Sequence, residues 1–464
     1  MNNSIENQEI GKLNPVLLNE LLKKYSKESE IKKWDMGASS SRDISVQVQG
    51  GNAKQLKGSQ RNAMTLRVWN KNNQVGITST SDLTSKGIKK AMRGAIEASL
   101  FGNEKESPEF SPLAKTKIND NNSKISNTHT IDEMLQILQR AEKQLINTHQ
   151  SIDSVPYNGL NESYMERIYI NSEGANRHMK ISQSSIYLYA KAQDKDKKPR
   201  SAGGIRISNN LDELDINSCI KETSDKLISH LNYKPIETNK YLICFTPESF
   251  LQLISAFSSM FNARSIIDGL SLMNEDSIGS QISVPNLNIS DEGLNPNNIG
   301  SFNFDGEGTP TQNIKLVTNG ILANLLHSEA TARRFGVKPT GHAGLGAKVS
   351  VTLDWLVISK NESELDKNES LSVKDTMTEY ILIDELSAIH SGVKASQGSF
   401  SLPFDGWIVK NGHKTSIEAA TVAGDILKVL NSIVKIEDEQ VVTHQGISPH
   451  VWVENISITG EAWI

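Results

Sequence analysis

The chain is short of cysteine, has no basic surplus and carries no long apolar run, and each shortage closes off a class of protein. Only Cys219 and Cys244 occur in 464 residues. Two isolated thiols build no disulfide framework. Without C-x-x-C spacing they make no thiolate metal site, so both are expected to be reduced in a cytoplasmic protein. The net charge is −5 and the isoelectric point about 6.1. A dedicated nucleic-acid binder carries a basic surplus, so no nucleic-acid partner is expected. The densest basic run, Lys195, Lys197, Lys198 and Arg200, alternates with aspartates and reads as a solvated hairpin loop. No apolar stretch reaches the ~18 residues of a membrane span, and Met1–Lys12 is too polar for a secretory signal. There is no G-x-x-x-x-G-K-[ST] phosphate loop, no G-x-S-x-G elbow and no H-E-x-x-H. A helical zinc site needs two histidines about one turn apart, and the nearest pair among the ten here is His444 and His450.

What is present suffices for a sizeable core. Hydrophobic residues make up 37% of the chain, which excludes global disorder. The length suggests two to four domains at roughly 100–200 residues each. Val16, Leu17, Leu18, Leu21 and Leu22 mark an amphipathic helix. Ile44, Val46 and Val48 alternate with polar residues as a strand, and Ala63–Trp69 with Gln74–Thr78 reads as a hairpin. A helix is expected from Asp82 to Leu100 with Ser81 as its cap. Residues 102–128, rich in Asn, Ser, Lys and Pro, read as a linker. A capping box at Thr130 and Glu133 then opens a second helix. Strands near 163–170 and 178–192 flank the turn Asn171-Ser172-Glu173-Gly174. Thr246-Pro247-Glu248 combines a cap, a first-turn proline and an acid at the positive end of a helix dipole. Beyond that helix the pattern is β-rich, with hairpin turns at Thr318-Asn319-Gly320 and Asn411-Gly412 and a charged loop at 360–372.

The most unusual segment is Asp305-Gly306-Glu307-Gly308-Thr309-Pro310. Two acids with interleaved glycines suit a hard cation bound through oxygen. They also suit a tight loop whose glycines take positive φ, the preferred reading on chemistry alone. Gly341–Gly346 is glycine-rich but lacks the strand-then-helix context of a nucleotide site. His327 is followed by Thr331 and Ala332, where a second metal-binding histidine would stand.

A set of segments recurs in order. Arg67-Val68-Trp69 and Val75–Leu83 come early, and Asn171-Ser172-Glu173-Gly174 stands in the middle. Phe304–Thr311, Val317–Leu322 and Pro339–Gly344 follow, then Gln397–Ser401, Asn411-Gly412, Ser448-Pro449-His450 and Ser457–Gly460. Across about residues 40–464 this set resembles the TldD/PmbA family, specifically its PmbA (TldE) branch. The chain departs from that pattern at Ala388-Ile389-His390-Ser391, where a more glycine-rich turn is expected.

The resemblance implies an α+β chain in three parts: an N-terminal α/β domain (1–105), a middle domain (125–232) and a β-rich C-terminal domain (238–464). It also implies a partner, a TldD-like subunit that holds zinc on an H-E-x-x-x-H helix. The pair would be a cytoplasmic metalloprotease that trims or degrades unfolded peptides or processes precursor peptides. On this reading the present chain holds no metal and no catalytic residue, and neither nucleic acid nor membrane is a partner. The helix opening at Thr246-Pro247-Glu248 is the expected counterpart of the partner's metal helix, with Glu248 but no histidine. Asp305, Glu307 and Gly308 are the candidates for lining a shared peptide chamber; in that role Glu307→Gln should lower activity while hardly moving the melting temperature. Two other readings stand beside this one. One is a self-sufficient hydrolase using Asp305, Glu307, His327 or His342, and the other is a non-enzymatic scaffold.

Overall fold

The computed structural model describes residues 13–102, 108–118, 129–195, 197–345, 349–361 and 379–460. Six long strands dominate the first half: β1 (Lys33–Gln49), β2 (Asn52–Trp69), β3 (Val75–Thr80), β4 (Ile152–Asn171), β5 (Asn176–Ala192) and β6 (Arg200–Ser208). They form one antiparallel sheet in the order β3-β2-β1-β4-β5-β6. β1 and β4 pair from Asp35↔Asn171 to Val46↔Leu160. The N-terminal and middle segments are therefore neighbouring halves of a single sheet.

The period-2 alternation of a strand sorts this sheet into two chemically distinct faces. Even-numbered residues such as Met36, Ala38, Leu66, Val68, Ile168 and Ile170 pack under α1 (Pro15–Glu28) and α2 (Ser85–Ser99). Val46, Val48, Leu160, Ile186 and Leu188 do the same under α3 (Ile131–Ile146) and α4 (Ile216–Ser229). The odd-numbered face of β1, β2 and β4 carries Asp35, Gly37, Thr65, Arg67, Arg167 and Tyr169, and it meets loops of the C-terminal domain.

Local signals in the sequence appear where they were read. The Thr130–Glu133 capping box is formed in both directions, and Thr246 caps the helix α5 (Pro247–Ala256). Asn319 and Gly320 have φ of 53° and 77°, and Asn411 and Gly412 48° and 78°, as a two-residue hairpin turn requires. Other boundaries moved. β1 starts at Lys33, well before Ile44, because Gly37, Ala38 and Ser39–Ser41 dilute its apolar pattern. The α2 cap is Thr84, not Ser81, since the Asp82 carboxylate accepts bonds from both the Thr84 N–H and its hydroxyl and holds it in place. Residues 108–118, within the expected linker, dock on the sheet: Phe110 meets Trp69 edge-on with ring centroids 5.1 Å apart. Residues 103–107, 119–128 and most of the loop expected at 360–372 lie outside the described residues.

The C-terminal domain contains a nine-stranded and a six-stranded sheet. Strands of both share one apolar core with the buried side of α5, including Phe245, Phe250, Leu253, Ile289, Ile358, Leu402 and Val453. The middle segment is fastened to this domain. Tyr233–Lys234 adds a strand to the nine-stranded sheet, and Arg200 donates to the carbonyls of Glu418 and Ile417 at 2.7 and 3.1 Å. Cys219 and Cys244 are buried and are not joined by a disulfide, and burial pushes the Cys219 thiol up to about 11. Among the described residues no helix is long and apolar enough to cross a membrane.

Candidate functional site

The acidic-glycine loop lies against the odd-numbered face of the first sheet, and Asp305 organises it. Its Oδ1 accepts the N–H groups of Glu307 and Thr309, each at 2.9 Å, and its Oδ2 accepts the Ala343 N–H at 3.0 Å. Burial, with the nearby Glu307 charge, raises its pKa to about 7, against the pull of those backbone donors. Its lone pairs are engaged by the backbone, so Asp305 holds the loop in shape rather than a cation. Gly308 takes φ +74°, and a Cβ there would fall 2.3 Å from the Tyr169 ring. The glycine is required twice, by conformation and by space.

Glu307 points the other way, into a charged cluster sealed from solvent. Its Oε1 is 3.2 Å from Arg67 Nη1, and its Oε2 accepts the Glu329 N–H at 2.8 Å. Glu329 opens the helix Glu329–Phe335, so the carboxylate faces the positive end of that helix. Arg67, on β2, also grips Asp35 on β1 through two bonds of 2.9 and 2.5 Å, while the Tyr169 hydroxyl on β4 donates to Asp35 at 3.0 Å. Burial opposes the Arg67 charge, but Asp35 and Glu307 outweigh it and hold its pKa well above the ordinary value. Burial and Asp35 raise Tyr169, so its phenol stays protonated and donating. Asp35 and Tyr169 were not singled out from the sequence, and Arg67 was noted only within a motif. Their one signal is a polar residue at every second position of an otherwise apolar strand.

Beside this cluster a cavity of about 540 Å³ opens between β1, β2 and β4 and the C-terminal loops. Gly37 keeps it narrow, since a Cβ at that position would lie 2.7 Å from the Leu345 side chain. Asp305 and His342 border the cavity, whereas Glu307, Gly308 and His327 are not among its lining residues. Arg167 and Asp354 complete its polar wall, and neither was expected from the sequence. The Arg167 guanidinium stacks 3.8 Å from the Phe302 ring, and its one hydrogen bond among the described residues is a long 3.5 Å contact to the Phe304 carbonyl. Burial lowers its pKa against the pull of Asp305 and Asp354. His327 sits apart: its Nδ1 is 3.3 Å from Thr331 Oγ1, and burial pulls its pKa down to about 4, so the ring is neutral.

A second cleft, of about 960 Å³, lies at the start of α5. There the Lys226 ammonium stands 3.3 Å from Glu222, 3.3 Å from Glu248 and 3.4 Å from Asp384. Burial works against its charge, but Asp384, Glu248 and Glu222 together raise its pKa. His444 Nδ1 is 3.8 Å from Glu248. Asp354 borders both cavities and is their common wall.

This three-part α+β architecture is one already seen in solved structures. TldE from Thermococcus kodakarensis matches it with a TM-score of 0.82 at 17% identity, over 96% of this chain and 100% of that one. A Thermotoga maritima protein matches equally well at 0.82 and 22% identity, over 95% and 99% of the two chains. At such identities the likeness concerns the fold. Sequence comparison then narrows the class. The family models described as PmbA/TldA metallopeptidase domain 1, central domain and C-terminal domain match residues 34–99, 125–231 and 238–460. The chain belongs to the TldD/PmbA family of metalloproteases. Among its relatives, the metalloprotease PmbA homolog of Buchnera aphidicola is 25% identical over 403 residues, 85% of this chain and 86% of its own. The homolog of the same name from Haemophilus influenzae is 23% identical over 370 residues, 79% of each.

Proposed function

We propose that this chain is the PmbA/TldE-like subunit of a cytoplasmic TldD/TldE-type protease that trims or degrades unfolded peptides, with zinc held by a TldD-like partner. The observation that carries the reading is Lys226. At the start of α5, the helix that the resemblance pairs with the partner's metal helix, Glu248 joins Glu222 of α4 and Asp384 of a neighbouring strand around the Lys226 ammonium of α4 instead of presenting free oxygens. A resident cation 3.3–3.4 Å from Glu222, Glu248 and Asp384 repels a divalent ion, so these residues do not fit zinc. No hydrolytic step is assigned to side chains of this chain. Its contribution is a body for pairing and a walled surface for holding substrate, to which the two adjoining cavities are suited.

The test is cleavage of an unfolded protein such as reduced, alkylated casein by this chain, by a TldD-like partner and by both together. It is repeated with the glutamate of the partner's metal helix changed to glutamine. Activity is expected only from the pair and is expected to vanish with the glutamine change. Chelator-sensitive cleavage by this chain alone overturns the reading, and so does activity that survives the change. An obligate pair should also co-purify as a defined complex, since such interfaces usually bury more than ~2,000 Å².

A further inference from the structure

The cavity beneath the C-terminal loops contains two polar groups that the fold leaves without adequate partners. Arg167 is the first. Its guanidinium offers five N–H donors, yet among the described residues it has only the long contact to the Phe304 carbonyl, and no acid lies within ion-pair distance. His342 is the second. Its side chain is 1% exposed, and its Nε2 has no hydrogen-bond partner among the described residues, with Asp291 Oδ2 at 3.6 Å. Buried polar atoms are nearly always bonded, so an orphan on a cavity wall marks where a ligand atom belongs.

Thr340 anchors the His342 ring. The Thr340 hydroxyl gives its single proton to the His327 carbonyl at 3.1 Å and accepts the His327 N–H at 2.8 Å. It also lies 3.0 Å from His342 Nδ1 and fixes the plane of the ring. Asp354, whose Oδ1 among the described residues accepts from Asn298 alone at 3.2 Å, is an acceptor on the same wall. The cavity presents a cation with open donors at Arg167, the unpartnered His342 ring and a hydrogen-bond acceptor at Asp354. The Asp354 carboxylate disfavours a dianion such as phosphate.

We infer that this cavity binds a free α-carboxylate with its adjacent nitrogen, as borne by the C-terminal residue of a peptide or by a free amino acid. The carboxylate lies against Arg167, and the N–H faces Asp354. A forked guanidinium suits a carboxylate in two-point contact, and 540 Å³ is within the usual range for a small-ligand site. The inference rests on the peptide-handling reading for its choice of ligand.

The experiment uses the full chain without any partner, so its failure is separable from failure of the peptidase assay. Two fluorescein-labelled octapeptides of alternating alanine and serine, one ending in a free carboxylate and one amidated, are titrated by fluorescence anisotropy. Unlabelled L-alanine serves as competitor. Wild type should bind the free acid at least tenfold more tightly than the amide, and Arg167→Met should abolish the difference. Displacement by millimolar alanine identifies the free amino acid as a sufficient ligand; no displacement identifies the peptide end, and both support the site. Should Arg167→Met not fold, Ala63→Leu narrows the cavity from its exposed rim and should weaken the free acid selectively. Equal binding of acid and amide by wild type overturns the inference. So does a preference that persists in the variants, or no binding of either peptide and of alanine.

Discussion

Replacing Glu307 by glutamine separates a structural role from a substrate-binding one. The Glu307 side chain is 1% exposed and accepts from two donors, Arg67 Nη1 and the Glu329 N–H. Glutamine has one oxygen and one NH₂, so whichever way the amide turns, one donor meets another donor. The loss of charge also leaves Arg67 with Asp35 as its remaining ion-pair partner. Removing one member of a buried ion pair costs about 3–5 kcal/mol. The two bonds from Arg67 to Asp35 survive, which places the cost near the lower end, about 3 kcal/mol. At about 2–4 °C per kcal/mol for a domain of 150–250 residues, the melting temperature should fall by roughly 6–12 °C. Calorimetry at a fixed scan rate reads this directly. A companion cycle with Arg67→Met should give a coupling energy above about 1 kcal/mol. A fall of less than about 2 °C refutes the argument. If cleavage by the assembled pair dropped at the same time, Glu307 would belong to the peptide chamber instead.

Two further predictions concern pH and backbone conformation. The Asp305 pKa of about 7 lies above its ordinary 3.8, so between those values the native state keeps a proton that the unfolded chain has lost. Its contribution to stability therefore falls as pH rises from 4 to 7, by about 1.4 kcal/mol per unit. His230, stacked on Trp407, is lowered to about 4 by burial first and then by Arg200 and Lys226. It acts in the opposite sense, removing stability as pH falls from 6.5 to 4. Denaturant midpoints of wild type and Asp305→Asn from pH 4 to 8 should therefore diverge, the variant gaining relative stability with rising pH; parallel curves refute the assignment. Gly308→Ala should destabilise by about 2–4 kcal/mol, from a left-handed residue and a collision with the Tyr169 ring. Ala388→Gly should stabilise by about 0.5–1 kcal/mol, because Ala388 already sits at φ 55°. Two shifts of the same sign in urea unfolding would show that the conformational argument is wrong.

Features written within a few residues were legible in the sequence. The Thr130 capping box, the Thr246-Pro247 helix start and the Asn319-Gly320 turn each depend on neighbours close along the chain. The unusual character of Asp305–Pro310 was equally visible, but the separate duties of its acids were not. Asp305 binds its own loop and one strand further on, while Glu307 answers an arginine 240 positions away in sequence. No local pattern encodes that pairing. It exists because β1 carries Asp35 opposite Arg67 and β4 brings Tyr169 beside Gly37. Arg167 and Asp354 escaped notice for the same reason: an isolated arginine on a strand and an aspartate in a loop look solvated until the two halves of the molecule meet. The departure at Ala388 was visible as a missing glycine, and the backbone takes the glycine-like conformation there without it.

The pairing of β1 with β4 bears on how the chain is made. Twelve residues of β1, Asp35 to Val46, find their neighbours between Leu160 and Asn171. A nascent chain that has released β1, β2 and α2 holds a finished hairpin with one long flank bare. At about 5–20 residues per second, that flank waits roughly 4–14 s for β4 to be synthesised. Unpaired strand flanks of this length recruit other chains. A ribosome-bound holding chaperone during this interval, or slow codons placed only after β4, would keep the newborn protein from joining its neighbours. Truncation after residue 120 should yield an aggregating fragment, not a soluble domain.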